Sequence, residues 1–375
     1  MKKKSDNFTQ KKLLQINKKI AGKKILFITG VNVFKKLQLK RRLKILLESP
    51  NTEVFKKKFY LPEIKELKKI IKIINKFNPK IIYAIGGGGV LDLAKISNLF
   101  KSEKNLEKKI KKNIIDISLK KNLRSLVAIP TTAGSGAEVT SNAVIYINKK
   151  KYSVENKFVK PSNYLLMPEF VEKSSFNLKS SAGFDAIAQG IESMFSLKSN
   201  NESLNYAIKS VKLSFKHYQN FLNNKNLSDT CRGMMLAANL SGKAINISKT
   251  IAPHAISYPF TSHFGISHGL AVALNFEEII EYLYKNKNTS ISKFNLDDRF
   301  KILFKLSETN NFSEFKKFIK YLKKSGKVKD TFESNNINIS QNIDLILKNV
   351  NVQRLKNNPI ALDFESLKKI LLNKK

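Results

Sequence analysis

Cysteine, histidine and tryptophan are the scarce residues of this 375-residue chain: one Cys, four His and no Trp. The lone thiol, Cys231, excludes an internal disulfide framework and suits a reducing compartment, so a cytoplasmic location is expected. Long apolar runs are also missing. The best candidates, "KIIYAIGGGGVLDLA" and "SLVAIPTTAG", are broken by glycine or proline and fall short of a bilayer span. The basic start "MKKKSDNFTQKKLL" has no apolar stretch behind it, so neither a secretory leader nor a membrane partner is expected. Acidic residues are few, 29 against 69 basic ones, which leaves a net charge of +40. Such an excess would suit a nucleic-acid binder. The lysines, however, are spread along the whole chain, mostly on the solvent side of helical patterns and with few aromatics between them. No specific nucleic-acid partner is therefore expected, and a basic nucleic-acid-binding protein is kept as the remote alternative. The charge is read as a field that favours anionic ligands.

What is present organises into two parts. The length allows two cores, and 42% hydrophobic residues is the usual share for a globular protein. Short β-rich runs alternate with helical ones in the first part: "KKILFITG", "LPEIKELKKIIKIINKFN", "PKIIYAIGGGG", "VLDLAKISNLF", "LRSLVAIPTT". That alternation predicts an α/β domain with a parallel, Rossmann-like sheet over residues 1–172. From there the period becomes helical, as in "SSAGFDAIAQGIESMFS" and "SLNYAIKSVKLSFKHYQNFL", which predicts an all-helical domain over 173–375.

Two loops in the first part carry ligand chemistry. In "IIYAIGGGGVLDLAK", Gly87, Gly88 and Gly89 join a strand to a helix, so backbone N–H groups can approach an anion without Cβ clashes. Asp92 is expected in the first turn of that helix, where it would cap open N–H groups. This is not the GxGxxG spacing, so that fingerprint is not invoked. In "AIPTTAGSGAEVT", Thr131 and Thr132 supply hydroxyls that would suit a second wall of a nucleotide groove, or simply a surface loop.

The second part concentrates the rare histidines: His254, His263 and His268 fall within fifteen positions, "TIAPHAISYPFTSHFGISHG". In "GFDAIAQGIES", Asp185 and Gln189 are four apart and share one face of a helix. Alone they would be read as an exposed polar pair. With His254 and His268 they offer a carboxylate, an amide oxygen and two imidazoles, a set that fits Fe²⁺ or Zn²⁺ better than Ca²⁺. His217, in "SFKHYQ", belongs to an ordinary helical stretch.

Four motifs in this order, over residues 22 to 280, resemble the iron-containing (group III) alcohol dehydrogenases. They are "GGGGVLDLAK", with Gly89 where that family usually has serine, "PTTAGSGAEVT", "GFDAIAQGIES" and "HAISYPFTSHFGISH". The resemblance implies a dehydroquinate synthase-like architecture with cofactor and metal in the cleft between the domains. It implies that Gly87, Gly88, Gly89 and Asp92 hold the pyrophosphate of NAD(P)H, and that Thr131, Thr132 and Lys151 touch the cofactor. Asp185, Gln189, His254 and His268 fall on the four metal-ligand positions; the second of these is normally histidine. Another histidine usual in the family is replaced by Tyr258, so Tyr258 or His263 would relay a proton. Gly30, with Lys35 and Lys36 after it, stands where NAD-preferring members often carry Asp, which makes NADP admissible. Within the family the likeness is greatest to the phosphonoacetaldehyde reductases, which implies reduction of a small anionic aldehyde in phosphonate biosynthesis. Lys249, five residues before His254, is the candidate substrate cation. The alternative is an alcohol dehydrogenase acting on an uncharged short-chain alcohol or aldehyde. A homo-oligomer, a dimer, is expected.

Overall fold

A computed structural model describes residues 22–100, 102, 104–115 and 123–374; the N-terminal stretch read for a leader lies outside them. The chain divides into two compact units, one running to Thr132 and taking in Ala137–Lys173, the other holding Ala133–Gly136 and everything from Ser174.

The first unit is built on strands β1 (Ile25–Gly30), β2 (Thr52–Lys57), β3 (Ile81–Gly86), β4 (Ser125–Pro130) and β7 (Asn163–Tyr164). They form a parallel sheet in the order β2-β1-β3-β4-β7. Alternate side chains feed opposite cores. Leu26, Ile28, Ile82, Ala84, Leu126 and Ala128 enter one, and Phe27, Tyr83, Ile85, Val127 and Ile129 the other. A sheet buried on both faces needs near-continuous apolar strands, which is why these read as unbroken hydrophobic runs. Helices α1 (Ile64–Phe77) and α2 (Gly88–Leu99) cover one face. Strands β5 (Asn142–Ile147) and β6 (Lys150–Glu155) form a separate antiparallel hairpin. The chain leaves β1 toward one edge of the sheet and β3 toward the other, so the crevice of an open parallel sheet falls at the carboxyl ends of β1 and β3.

The second unit is helical over its described residues. Its principal helices are α3 (Phe176–Phe195), α4 (Asn201–Leu222), α5 (Leu227–Ser248), α6 (Ala252–Phe264) and α7 (His268–Lys285). Ser175 caps α3 by accepting the Leu178 N–H, and Asn200 with Ser203 forms a capping box on α4. Gly265, at φ +70°, ends α6 in the left-handed conformation that glycine adopts without strain. Four residues on, Gly269 opens α7 directly against α3. A Cβ there would lie 1.8 Å from the Ser181 carbonyl oxygen, so only glycine permits this approach. No described helix is long and apolar enough to cross a membrane.

Candidate metal and dinucleotide sites

Burial and helical period assemble the cluster in the second unit. Asp185 and Gln189 sit one turn apart on α3 and both are buried. The Gly269 contact seats the start of α7, and with it His268, beside Asp185. His254 comes from the first turn of α6. Asp185, His254 and His268 each bring a ligand atom, all within 4.8 Å of one another. Two donors bound ~2.1 Å from one ion lie up to ~4.2 Å apart, so a small contraction of this trio encloses a divalent cation. Two imidazoles and a carboxylate form a borderline set suited to Fe²⁺ or Zn²⁺.

Glu192 completes the arrangement, although no motif in the sequence marks it out. It lies one further turn along α3, fully buried. Its Oε1 is 2.5 Å from His254 Nδ1, and its Oε2 accepts the Ile251 N–H at 2.8 Å. With Nδ1 held by a carboxylate, His254 Nε2 faces Asp185 Oδ1 at 3.1 Å. A histidine oriented in this way is the usual carboxylate–histidine–metal arrangement. Burial works against charge on His254, yet Glu192 and Asp185 push its imidazole up to about 9. Burial would raise the Asp185 carboxyl, but hydrogen bonds from His254 and Gln189 and the charge of His268 hold it below its ordinary value. The spacing 185, 189, 192 was the available signal for Glu192: three polar side chains on one stripe of an otherwise apolar helix.

The structure separates the two relay candidates. Tyr258 is one turn beyond His254 on the same face, and its ring centroid is 6.4 Å from that of His268. Arg354 Nε donates to the Tyr258 hydroxyl oxygen at 2.7 Å, and its Nη1 donates to Thr250 Oγ1 at 2.5 Å. His263, in contrast, is exposed. Nine residues amount to two and a half helical turns, so it projects from the face of α6 opposite His254, and the relay role expected of it is withdrawn. His217 is buried against Gly233 and near Asp229, an ordinary packed histidine.

Lys249 closes α5 at φ 65° and ψ 176°, a conformation that essentially only glycine takes without cost. A hydrogen-bond network holds it there. Asn357 Nδ2 donates to Ser248 O and Thr250 O, Ser196 Oγ donates to Ser248 O, and Ser248 Oγ is bonded to Ser193 Oγ.

In the first unit the carboxyl ends of β3 and β4 bring the predicted cofactor residues together. Gly87 caps α2 without a side chain, so the Gly88 and Gly89 N–H groups at the helix start are presented to an anion. The Thr131 N–H donates to Gly86 O at 3.0 Å, and the Thr132 methyl faces Gly87. At Gly89 an added Cβ would meet Pro62 Cδ at 3.3 Å, a tight fit for any larger residue.

Asp92 requires correction. It lies in the second turn of α2, where main-chain N–H groups are already bonded within the helix, so it caps nothing. It accepts the Val144 N–H and stands 4.0 Å from Lys95 Nζ, and burial pushes its carboxyl up to about 6. Lys151, on β6, adds positive charge near this carboxylate. Lys95 is itself buried and donates to Ala137 O, Thr140 Oγ1 and Asn142 O. This pair clasps the β5–β6 hairpin to α2, so the first-turn cap expected of Asp92 is not formed.

Comparison with known proteins is consistent with both units. Residues 7–168 match the model of the iron-containing alcohol dehydrogenases, and residues 179–374 match that of the C-terminal part of the Fe-containing alcohol dehydrogenase family. A 4-hydroxybutyrate dehydrogenase of Clostridium kluyveri is 28% identical over 64% of this chain and 66% of its own length. A phosphonoacetaldehyde reductase of Streptomyces viridochromogenes is 31% identical over 42% of this chain and 40% of its own length. The chain thus spans about two thirds or less of these curated relatives. The sulfoacetaldehyde reductase of Bifidobacterium kashiwanohense, solved with NAD⁺, superposes with a TM-score of 0.83 at 22% identity, covering 96% of this chain and 93% of its own.

Proposed function

This chain belongs to the iron-containing alcohol dehydrogenase family, and on that premise we propose that it is a metal-dependent, NAD(P)H-linked reductase of small anionic aldehydes. The substrate put forward is phosphonoacetaldehyde, reduced to 2-hydroxyethylphosphonate. The reading rests on one observation: a buried carboxylate and two imidazoles within 4.8 Å, with Glu192 fixing the orientation of one imidazole. The names of the three relatives above support the anionic class, because 4-hydroxybutyrate, phosphonoacetaldehyde and sulfoacetaldehyde each carry an acid group on a short chain.

Asp185, Gln189, His254 and His268 are the residues assigned to the cation, with iron preferred and zinc the second choice. Once bound, the cation supplies a Lewis acid for the carbonyl oxygen and the dihydronicotinamide supplies the hydride. The chain's own groups do the rest. The Gly88 and Gly89 amides hold the pyrophosphate, while Thr131, Thr132 and Lys151 line the cofactor groove. Glu192 keeps His254 Nε2 turned toward the site. Tyr258, whose oxygen accepts from Arg354, is assigned the proton that ends on the product hydroxyl. Lys249 is assigned the acid group of the substrate, its strained backbone being the conformational cost of placing that ammonium. Lys35 and Lys36, exposed on the helix that follows β1, admit NADP beside NAD. A homodimer in the cytoplasm is the proposed setting.

A substrate panel tests the reading. Phosphonoacetaldehyde should exceed propanal in kcat/KM by about a hundredfold, and Lys249→Ala should erase most of that preference, a loss of the size expected when one charge-assisted contact is removed. Equal turnover of the two aldehydes by wild type would favour an alcohol dehydrogenase of uncharged substrates.

A further inference from the structure

The side chain of Gln189 raises a problem of hydrogen-bond counting. Ser241, fully buried on α5, has its hydroxyl 3.0 Å from Gln189 Oε1 and 2.9 Å from the carbonyl oxygen of Ala238. Both neighbours are acceptors, and a hydroxyl has one proton, so Ser241 serves only one of them fully. With Oε1 engaged by Ser241, the other end of the amide is Nε2, and the Gln189 side chain acts on Asp185 as a donor that favours its charged form.

Turning the amide over resolves the count. Nε2 then donates to Ser241 Oγ, and the Ser241 proton goes to Ala238 O. Oε1 comes to the side of Asp185, one of the three residues of the cluster. Two oxygens facing one another without a proton repel, so this second arrangement is stable only with a cation between them.

We infer that Gln189 is a two-position ligand whose amide turns over as the divalent cation enters, and that Ser241 is the residue that positions it. Its hydroxyl donates to Oε1 in one state, and accepts from Nε2 while donating to Ala238 in the other. The amide therefore couples cation uptake to a buried hydroxyl on a neighbouring helix. This inference rests on reading the cluster as a metal centre.

Cobalt(II) titration followed by visible absorption, with a competing chelator to fix the affinity, tests it without recourse to activity. Ser241→Ala should weaken Co²⁺ binding by about tenfold, within the range for outer-shell partners. Ser241→Thr, which keeps the hydroxyl, should restore most of the loss, and Ser241→Cys, which fills the space, should not. Glu at position 189 presents an oxygen whichever way it turns, so in the Gln189→Glu background Ser241→Ala should cost twofold or less. Circular dichroism confirms that each variant is folded. Unchanged affinity in Ser241→Ala, or the same loss in both backgrounds, overturns the inference and leaves the metal centre standing. Failure of the wild-type protein to bind Co²⁺ overturns both.

Discussion

At the scale of single residues, the site depends on groups that are costly to place. Lys249 occupies a glycine-like backbone conformation at φ 65° although it is not glycine. Lys249→Gly should raise stability by about 1 kcal/mol, the relieved strain less the added freedom of the unfolded chain. The same change should lower kcat/KM for the anionic aldehyde; urea denaturation and steady-state kinetics check the two halves. Glu192 is the other such residue. Glu192→Gln should weaken metal binding by about tenfold or more while leaving the helix intact, as read by metal titration and circular dichroism. Asp185, His254 and His268, which the structure brings within 4.8 Å, were candidates in the sequence because histidine is rare there and Asp185 shares an apolar helix face with Gln189. That pair alone reads as an exposed polar one, and the ligand positions followed from the family resemblance. Arg354 was not a candidate. It reaches Tyr258 across 96 positions of sequence, and nothing local in "NVQRLKNNP" marks it.

At the scale of elements, close approach and clasping set the geometry. Gly269→Ala would force its Cβ into the Ser181 carbonyl, so α7 must shift off α3 and carry His268 with it. A loss of about 3 kcal/mol or more is expected, with loss of bound metal, measured by denaturation and elemental analysis. The Lys95 clasp gives a pH signature. Burial pushes its ammonium down to about 8 against an ordinary 10.5, despite Asp92 and Glu138. Between those values the unfolded chain holds the proton and the folded chain does not, so stability falls as pH drops through that window. The cost of charging the buried ammonium is absent above 10.5 and complete below about 8, whereas Asp92, at about 6, titrates below the window. Relative to Lys95→Met, wild type should therefore gain roughly 2 kcal/mol between pH 8 and pH 10, read from denaturant midpoints.

The strands β1, β3 and β4 were legible because buried parallel strands are unbroken apolar runs. The β5–β6 hairpin was not recognised, although Asn148 and Lys149 turn it with φ of 50° and 62°. Lysine is not a residue that announces such a turn. Nor does any local signal show that Ala133–Gly136 would pack with the helical unit. That follows from Gly134 lying against Ala182 and Gly136 against Gly242, contacts that no periodicity encodes.

At the scale of the whole molecule, the net charge of +40 is the dominant field. It should draw in anionic aldehydes more than neutral ones, an effect that salt screens over ~10 Å at 0.1 M. Raising ionic strength should thus lower kcat/KM for phosphonoacetaldehyde several-fold and leave propanal nearly unchanged; equal sensitivity would show that the charge plays no part in substrate capture. The α/β-then-helical order was legible in the sequence because the hydrophobic period changes from strand–helix alternation to uninterrupted helix. What the charge does was not legible, since lysines on solvated faces carry no positional signal.

The central claim is that side chains of α3, α6 and α7 share one divalent cation. Elemental analysis of the purified protein and of its His254→Ala and His268→Ala variants tests it most directly. The account predicts close to one equivalent of iron or zinc in the wild-type chain and a small fraction of that in each variant. A full equivalent retained by both variants, or an active wild-type enzyme with no bound metal, would contradict it.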